Sequence, residues 1–302
     1  ERDPAFGVKE GYENTYQLWN IVGLETASHM AARFDDRSSA ERWMKASRKM
    51  KESYLSHPRF SLVEKGVFIK RRLANGEVQR TFEPPNRKAM PQGMPLNVEP
   101  VSYCDPDAGN VLPIALGVVE GQSPLALKTL ESIELLWNQR WDFGGYARYH
   151  VTSEPDSPGP WPFATLFIAR AYLETGNHEK VWRALNWLLN VRGGKAGAWL
   201  ECYADRPTPP LPPLGIVVWT WAEMIMFFIH HMLGVRPTPT TLVIRPRLLA
   251  GLEQLKARIQ VQGHSVLLDV RREQKEQWAV VNGTRMSLKN QTLEIPLPRR
   301  KT

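Results

Sequence analysis

Glu201 lies in the run Gly197-Ala198-Trp199-Leu200-Glu201-Cys202-Tyr203, where a carboxylate stands between two aromatic rings on an irregular segment joining apolar helices. Backbone held by rigid helices but free of their geometry can aim a side chain at a ligand. Upstream, Gly144-Gly145-Tyr146-Ala147-Arg148-Tyr149 and Gly159-Pro160-Trp161-Pro162 place a guanidinium beside further rings. A guanidinium fork holds two sugar hydroxyls or buttresses a carboxylate, and Tyr149 and Trp161 offer apolar faces to a sugar ring. Trp19, Trp199 and Tyr203 are further stacking candidates. Near the start of the chain, Glu10 and Glu13 precede a helix carrying Tyr16, Trp19 and Asn20. Two carboxyls are what hydrolysis of a glycosidic bond takes. One carboxyl protonates the leaving oxygen, and the other acts from the opposite face of the sugar. In inverting enzymes the two stand about 6.5–9.5 Å apart, leaving room for a water.

Each residue also has a plainer account. Glu201 can be a loop glutamate bonded to a helix end, Glu10 and Glu13 can be helix N-terminal acids favoured by the macrodipole, and Arg148 can pair with Glu154 or Asp156. Glu223 sits on an apolar helix, where a carboxylate is costly unless paired; support of the site and helix–helix pairing both fit it. Trp219 and Trp221 on the same helix read as core.

The elements that must position these groups follow from periodicity. The stretch Lys9 to Asn20 leads into a predicted helix reaching about Phe34, and a second is predicted from Ala40 to Leu55 capped by Ser38 or Ser39. Val67-Phe68-Ile69 and Glu77 to Phe82 flank Asn75-Gly76, which reads as an inserted β-hairpin. Residues 83 to 110 read as a functional loop on a pocket rim, being too long for an idle connection. Helices are expected at Val111 to Val119, at Pro124 to Trp137 with Ser123 as cap, at 161–175, at 178–191 and from Val217 to Leu233. Short β-rich runs follow: Thr241 to Leu248, Gln254 to Val261, Ser265 to Arg271, Gln277 to Val281 and Thr292 to Leu297. The expected organisation is a helical part over 1–235 and a small antiparallel β module over 236–302.

Composition narrows the classes. A chain of 302 residues with 42% apolar content buries a substantial core. Its eleven tryptophans exceed what that core needs, which leaves some for a ligand, although helix packing accounts equally well for any single one. The net charge of +8 is scattered in short clusters such as Arg71-Arg72 and Arg271-Arg272, away from the tryptophans, so no nucleic-acid groove is expected. The most apolar run, Ile225 to Ile229, is interrupted by Glu223 and by His230-His231, so no membrane span is expected. Cys104 and Cys202 lack metal-ligand spacing and read as two free thiols, with no metal. Neither a phosphate-cradling glycine loop nor a serine elbow is present, and no cofactor is expected.

The order Arg148-Tyr149, Pro160-Trp161, Thr165, Glu201-x-Tyr203 and an aromatic helix resembles the C-terminal half of glucoamylase-type glycoside hydrolases, the six-hairpin (α/α)6 toroids. The resemblance implies that Arg148 binds the non-reducing sugar, that Glu201 is the catalytic base and that the chain after Gly234 is the family's structural β module. Two registers compete for the acid. Tyr16-Gln17-Leu18-Trp19-Asn20 resembles Tyr-x-Leu-Trp-Glu and leaves an amide, Asn20, where the acid belongs. Gly11-Tyr12-Glu13-Asn14-Thr15 resembles the Gly-aromatic-Asp-Asn-Ser motif of processing α-glucosidases and trehalases, with the acid at Glu13; its neighbours agree better, and Glu10 stands in reserve. The implied fold is mainly α, with toroid-type helical hairpins and an inserted β-hairpin. The helices found are fewer than a closed ring of six hairpins requires, so a missing N-terminal portion is expected in the same protein or assembly. The implied activity is inverting, exo-acting hydrolysis of an α-glucoside, the partner being an oligosaccharide or glucoside. The alternatives are a non-catalytic carbohydrate-binding relative and a phosphorylase of the same barrel clan.

Overall fold

The computed structural model describes residues 2–3, 7–8, 11–82, 101–139, 144–153, 159–203, 215–261, 263–272, 278–288 and 292–297. Glu10, most of the proline-rich loop, Glu154 and Asp156 lie outside the described residues. The chain forms two compact units, Glu1–Glu25 with Trp43–Glu223, and Thr26–Arg42 with Met224–Thr302.

In the first unit, the strand Gly11–Glu13 pairs antiparallel with Arg71–Leu73, setting Glu13 opposite Arg71. Helix α1 (Asn14–Arg33) starts directly after it. Asn14 fixes that junction: its Nδ2 donates to the Ile69 carbonyl at 2.9 Å, and its Oδ1 accepts from Tyr54 Oη at 2.8 Å. Tyr54 belongs to α2 (Arg37–Ser56). This helix begins earlier than the serine caps predict, because Asp36 Oδ1 takes the Ser39 N–H at 3.0 Å. That bond holds the Asp36 carboxyl below the usual range. Leu18, Ile21, Tyr54, Leu62, Phe68, Ile69, Leu112 and Val118 form the core at this end.

The predicted hairpin around Asn75-Gly76 is redistributed. Val63–Glu64 pairs with Val67–Phe68, Arg71–Leu73 pairs with the chain start, and Thr81–Phe82 pairs with Ser102–Tyr103. Across the Asn-Gly turn Arg72 bridges to Val78, with Leu73 N donating to Glu77 O at 2.8 Å and Gln79 N to Arg71 O at 3.2 Å. The helix expected at 111–119 contracts to α3 (Leu112–Ala115), preceded by a 3-10 turn at Ala108–Val111 that Asp107 caps through the Gly109 N–H. α4 (Pro124–Ile133) is capped by Ser123 as predicted and continues as a 3-10 turn over Glu134–Leu136.

α5 (Pro162–Glu174) is buried on nearly every side, with Leu166, Ile168, Ala169 and Leu173 inaccessible or nearly so. α6 (His178–Asn190) is capped by Asn177 and buries one stripe, Val181, Ala184, Leu185 and Leu188. Gly176 between them adopts a φ of 72°, the left-handed conformation that ends α5 and lets the chain return. α7 (Val218–Met226) passes into a π-helical turn over Phe227–Met232. Seven α-helices are found among the described residues.

In the second unit the expected single sheet is two. Val235–Pro237, Thr241–Ile244 and Leu293–Pro296 form one, with Thr241–Ile244 central. Gln254–Val261, His264–Arg271, Trp278–Val281 and Thr284–Ser287 form an antiparallel meander. Asn282-Gly283, with φ of 49° and 84°, makes the last tight turn, the conformation that Asn-Gly favours. Alternate residues of both sheets, including Leu242, Ile244, Val266, Leu268, Val270 and Ile295, share one core.

One carboxylate holds together the part of the first unit that carries the candidate residues. Glu134 accepts from Tyr146 Oη at 2.7 Å, Lys180 Nζ at 2.6 Å and Arg183 Nη2 at 2.7 Å, and also from Tyr172 Oη. Burial alone would raise its pKa. The bonds from Lys180, Tyr172, Tyr146 and Arg183 outweigh burial and hold it down to about 2. A depressed carboxyl stabilises the fold above its unfolded pKa, and that stabilisation is lost as pH falls through the folded value. Glu134→Ala leaves several donors without their acceptor and is expected to destabilise by about 1–3 kcal/mol at pH 7. In urea unfolding the gap to wild type should narrow between pH 4.5 and 2; a gap independent of pH would contradict this account.

Candidate active site

Arg148, Trp161 and Glu201 sit on backbone that is neither helix nor extended sheet but is hydrogen-bonded to neighbouring segments. Ala147 N donates to Leu136 O at 2.8 Å, Trp161 N to Tyr146 O at 2.9 Å and Tyr203 N to Pro160 O at 3.0 Å. Three segments, 144–148, 159–161 and 200–203, thus lie in succession. Gly144-Gly145 permits this approach: both have positive φ, and a Cβ on Gly145 would stand 2.6 Å from Pro160 and from the Trp187 ring. The three segments carry Arg148, Trp161 and Glu201.

Arg148 is half-buried in an aromatic box. Its guanidinium carbon lies 4.6 Å from the centroid of Tyr149, 5.3 Å from Trp161 and 5.7 Å from Phe163. Phe163 in turn packs on Trp219 with centroids 5.5 Å apart. Among the described residues the guanidinium makes no hydrogen bond or ion pair, so its planar set of donors remains available. The Trp161 indole N–H is buried and likewise has no partner among the described residues. Buried polar groups are ordinarily bonded, so these donors are open to a polar ligand.

The Tyr149 ring also connects the box to Glu13. Lys70 Nζ stands 5.0 Å from its centroid, 2.6 Å from Asp107 Oδ2 and 3.6 Å from Glu13 Oε1. Glu13 Oε2 accepts two N–H bonds from Arg71, at 2.9 Å from Nε and 2.6 Å from Nη2. Glu13 is therefore a buried, held carboxylate, and approach to a glycosidic oxygen requires release of the Arg71 fork. Asp105 Oδ1 accepts from Lys70 N and Asn110 Nδ2, each at 2.8 Å. Burial pushes its pKa up to about 6, against the opposing bonds from Asn110 and Lys70. Burial would lower the Lys70 pKa, but Asp107, Glu13 and Tyr149 outweigh that and hold the ammonium well above the usual lysine range.

The remaining candidates divide. Glu201 is half-buried between the Leu200–Ile216 bridge and the Tyr203–Pro160 bond. Trp199 and Tyr203 are buried, as Trp161 is: Trp199 Nε1 donates to the Leu188 carbonyl near the end of α6, and Tyr203 Oη donates to Arg192 O. Trp19 and Asn20 are exposed on α1. Glu223 pairs with Arg170 of α5, and burial raises its pKa against that pairing. Trp219 and Trp221, expected in the core, are 41% and 45% exposed, and Trp221 Nε1 donates to Gly197 O. Residues that sequence reasoning missed are Phe163 and Trp219 on the box and Lys70, Arg71, Asp105 and Asp107 beside Glu13. Among the described residues no three His, Cys, Asp or Glu side chains converge as a metal site, and no helix is long and apolar enough to cross a membrane.

No protein-family model and no curated protein matches the chain. Solved structures do. The chain is similar to a sialidase at 13% identity and a TM-score of 0.61, over 94% of this chain and 26% of that one. It is similar to a bacterial glucoamylase complexed with acarbose at 16% identity and a TM-score of 0.53, over 73% and 33% of the two chains. A glycosidase in complex with glucose gives 12% identity and a TM-score of 0.51, over 72% and 52%. At these identities the likeness is one of fold, and the fold is glycoside-hydrolase-like. The chain spans between about a quarter and a half of the length of these proteins.

Asp105 supplies a pH test of the site's electrostatics. A carboxyl whose pKa is raised by folding contributes stability that is fully present below its unfolded value and is lost as pH rises through the folded one. Asp105→Asn keeps an oxygen for Lys70 N and Asn110 and removes the titration. The variant is expected to gain on wild type as pH rises from about 4 to about 6 and to hold that advantage at pH 7.5, read by thermal unfolding. Parallel stability curves for the two proteins would refute the assignment.

Proposed function

We propose that the chain carries the sugar-binding and base-bearing part of a glycoside hydrolase that acts on an α-glucoside from its non-reducing end with inversion. The observation that carries this reading is the Arg148 guanidinium, boxed by Tyr149, Trp161 and Phe163 and free of an acceptor among the described residues. Rings of this kind take the apolar face of a sugar, and a guanidinium fork takes paired hydroxyls. Two of the similar structures hold carbohydrate, acarbose in one and glucose in the other, which supports a carbohydrate in this cleft.

In the proposed mechanism Arg148 and Trp161 hold the terminal sugar and Glu201 takes a proton from the attacking water. The leaving oxygen is protonated from the carboxyl cluster around Lys70, where Glu13 holds the acid's place in the sequence reading. The helical hairpins are proposed to belong to a six-hairpin (α/α)6 ring completed by further chain. Tyr16, Trp19, Val218 and Trp221, large apolar side chains exposed on α1 and α7, support that packing. The alternative reading is a non-catalytic carbohydrate-binding relative, favoured by the Arg71 fork that occupies Glu13.

Glu201→Gln is expected to lower kcat for hydrolysis of an aryl α-glucoside about 10²–10⁴-fold with little change in sugar binding. The first anomer released by the wild type should be β, read by proton NMR. Glu13→Gln should produce a loss that is smaller for substrates with better leaving groups if Glu13 donates the proton. A wild-type protein that binds the glucoside and turns none over, with both variants binding equally, would establish the binding-module reading instead.

A further inference from the structure

We infer that Lys70 is a positioning residue of the proposed site, its buried ammonium setting the Arg148–Tyr149 wall against the Glu13 carboxylate. The inference rests on the glycosidase reading and adds a residue that does not itself meet the sugar. Lys70 lies in the short backbone run between Val67–Phe68 and Arg71–Leu73, and its side chain is almost fully buried. An ammonium is expensive to bury, and Glu13 does not require a second cation, since Arg71 already holds it by two bonds. What Lys70 adds is a connection to residues 148 and 149 by two separate routes.

The first route is the ring. The ammonium stands 5.0 Å from the Tyr149 centroid, and the same ring takes the Arg148 guanidinium at 4.6 Å. The second runs through Asp107. Asp107 Oδ2 accepts from Lys70 at 2.6 Å, while Oδ1 accepts the Gly109 N–H at 2.8 Å and caps the 3-10 turn. The first residue of that turn, Ala108, donates its N–H to the Arg148 carbonyl at 2.9 Å. Both routes end on the same dipeptide, one on a side chain and one on the backbone. A bare ion pair between Lys70 and a carboxylate would stabilise the fold without fixing that dipeptide.

Charge distinguishes positioning from filling of space. Asp107, Glu13 and Tyr149 face the ammonium, with Arg71, Asp105 and Cys104 in the same electrostatic neighbourhood. Replacing Lys70 with Met preserves most of the side-chain volume but leaves Glu13, Asp105 and Asp107 with Arg71 as the remaining cation among these groups. Carboxyls deprived of a cation protonate at higher pH. The general acid of the proposed mechanism acts in its protonated form, so its ionisation sets the alkaline limb of kcat/KM, and that limb moves upward.

The test compares wild type, Lys70→Met, Lys70→Arg and Asp107→Asn in the full-length protein, with an aryl α-glucoside as substrate and thermal unfolding measured alongside. Lys70→Met is expected to lower kcat/KM about 10²-fold, as misplacement of a binding group by about 1 Å does. Its alkaline limb should move up by about one pH unit. Lys70→Arg should restore the position of the limb, and Asp107→Asn should lower kcat/KM in the same direction through the second route. A folded Lys70→Met protein with unaltered kcat/KM and limb overturns the inference and leaves the glycosidase reading intact. Should Lys70→Met fail to fold, an Asp107→Asn protein with wild-type kinetics overturns it instead. A wild-type protein that turns over no α-glucoside removes both.

Discussion

Irregular backbone has to satisfy its polar groups somewhere, and that constraint shapes the candidate site. Segments 144–148, 159–161 and 200–203 lack helical or sheet ladders, so Trp161 N bonds to Tyr146 O and Tyr203 N to Pro160 O, while Ala147 N bonds back to Leu136 O. Such an arrangement has few intrinsic preferences and must be clamped from outside. Glu134 does this from behind, drawing Tyr146 of the first segment, Tyr172 of α5 and Lys180 and Arg183 of α6 onto one carboxylate. Arg183 then lies 3.8 Å from the Trp137 ring centroid, and the Trp187 ring packs on Gly144-Gly145. A polar hub and close glycine packing together keep the platform in register.

The other wall is held by charge. Glu13, Arg71, Lys70 and Asp107 are all buried, and each cation meets a carboxylate at 2.6 Å. Buried ion pairs of this sort contribute little net stability, because desolvation offsets attraction, but they tolerate few alternative geometries. The strand pairing of Gly11–Glu13 with Arg71–Leu73 brings the partners together, and the Asn14 contacts to Ile69 and Tyr54 lock the helix that follows. Stability at this wall is therefore supplied by the apolar cluster around Leu18, Ile21 and Phe68, while the charges specify position.

Local signals were legible where local physics decides. Ser123-Pro124 opens α4, and the run 178–191 forms α6 to within one residue of its expected bounds. The Arg148, Tyr149 and Trp161 grouping was also readable, since Gly and Pro punctuation marks irregular backbone and aromatics cluster within fourteen positions of one another. Long-range pairing was not. Lys70-Arg71-Arg72 resembles solvated surface charge until Glu13, 58 residues away, is set opposite Arg71. The same blindness misassigned the tryptophans. α7 is apolar around most of its circumference, so no period reveals that Thr220 is buried while Trp219 and Trp221 are exposed. Trp199, conversely, is drawn inward by an unsatisfied carbonyl near the end of α6, at Leu188.

The two registers proposed for the acid differ in what the fold does with each position. Asn20 is exposed on α1, almost two turns beyond the strand that carries Glu13, and its neighbour Ile21 is fully buried in the core. Glu13 instead sits at the strand–helix junction, where backbone direction changes and a side chain can be directed by its neighbours. The fold has directed it toward cations. Release of the Arg71 grip and proton transfer make different demands on the same residue. Arg71 and Lys70 hold the Glu13 carboxylate in place, so the proton donor proposed for this cluster depends on how the Arg71 fork responds to sugar.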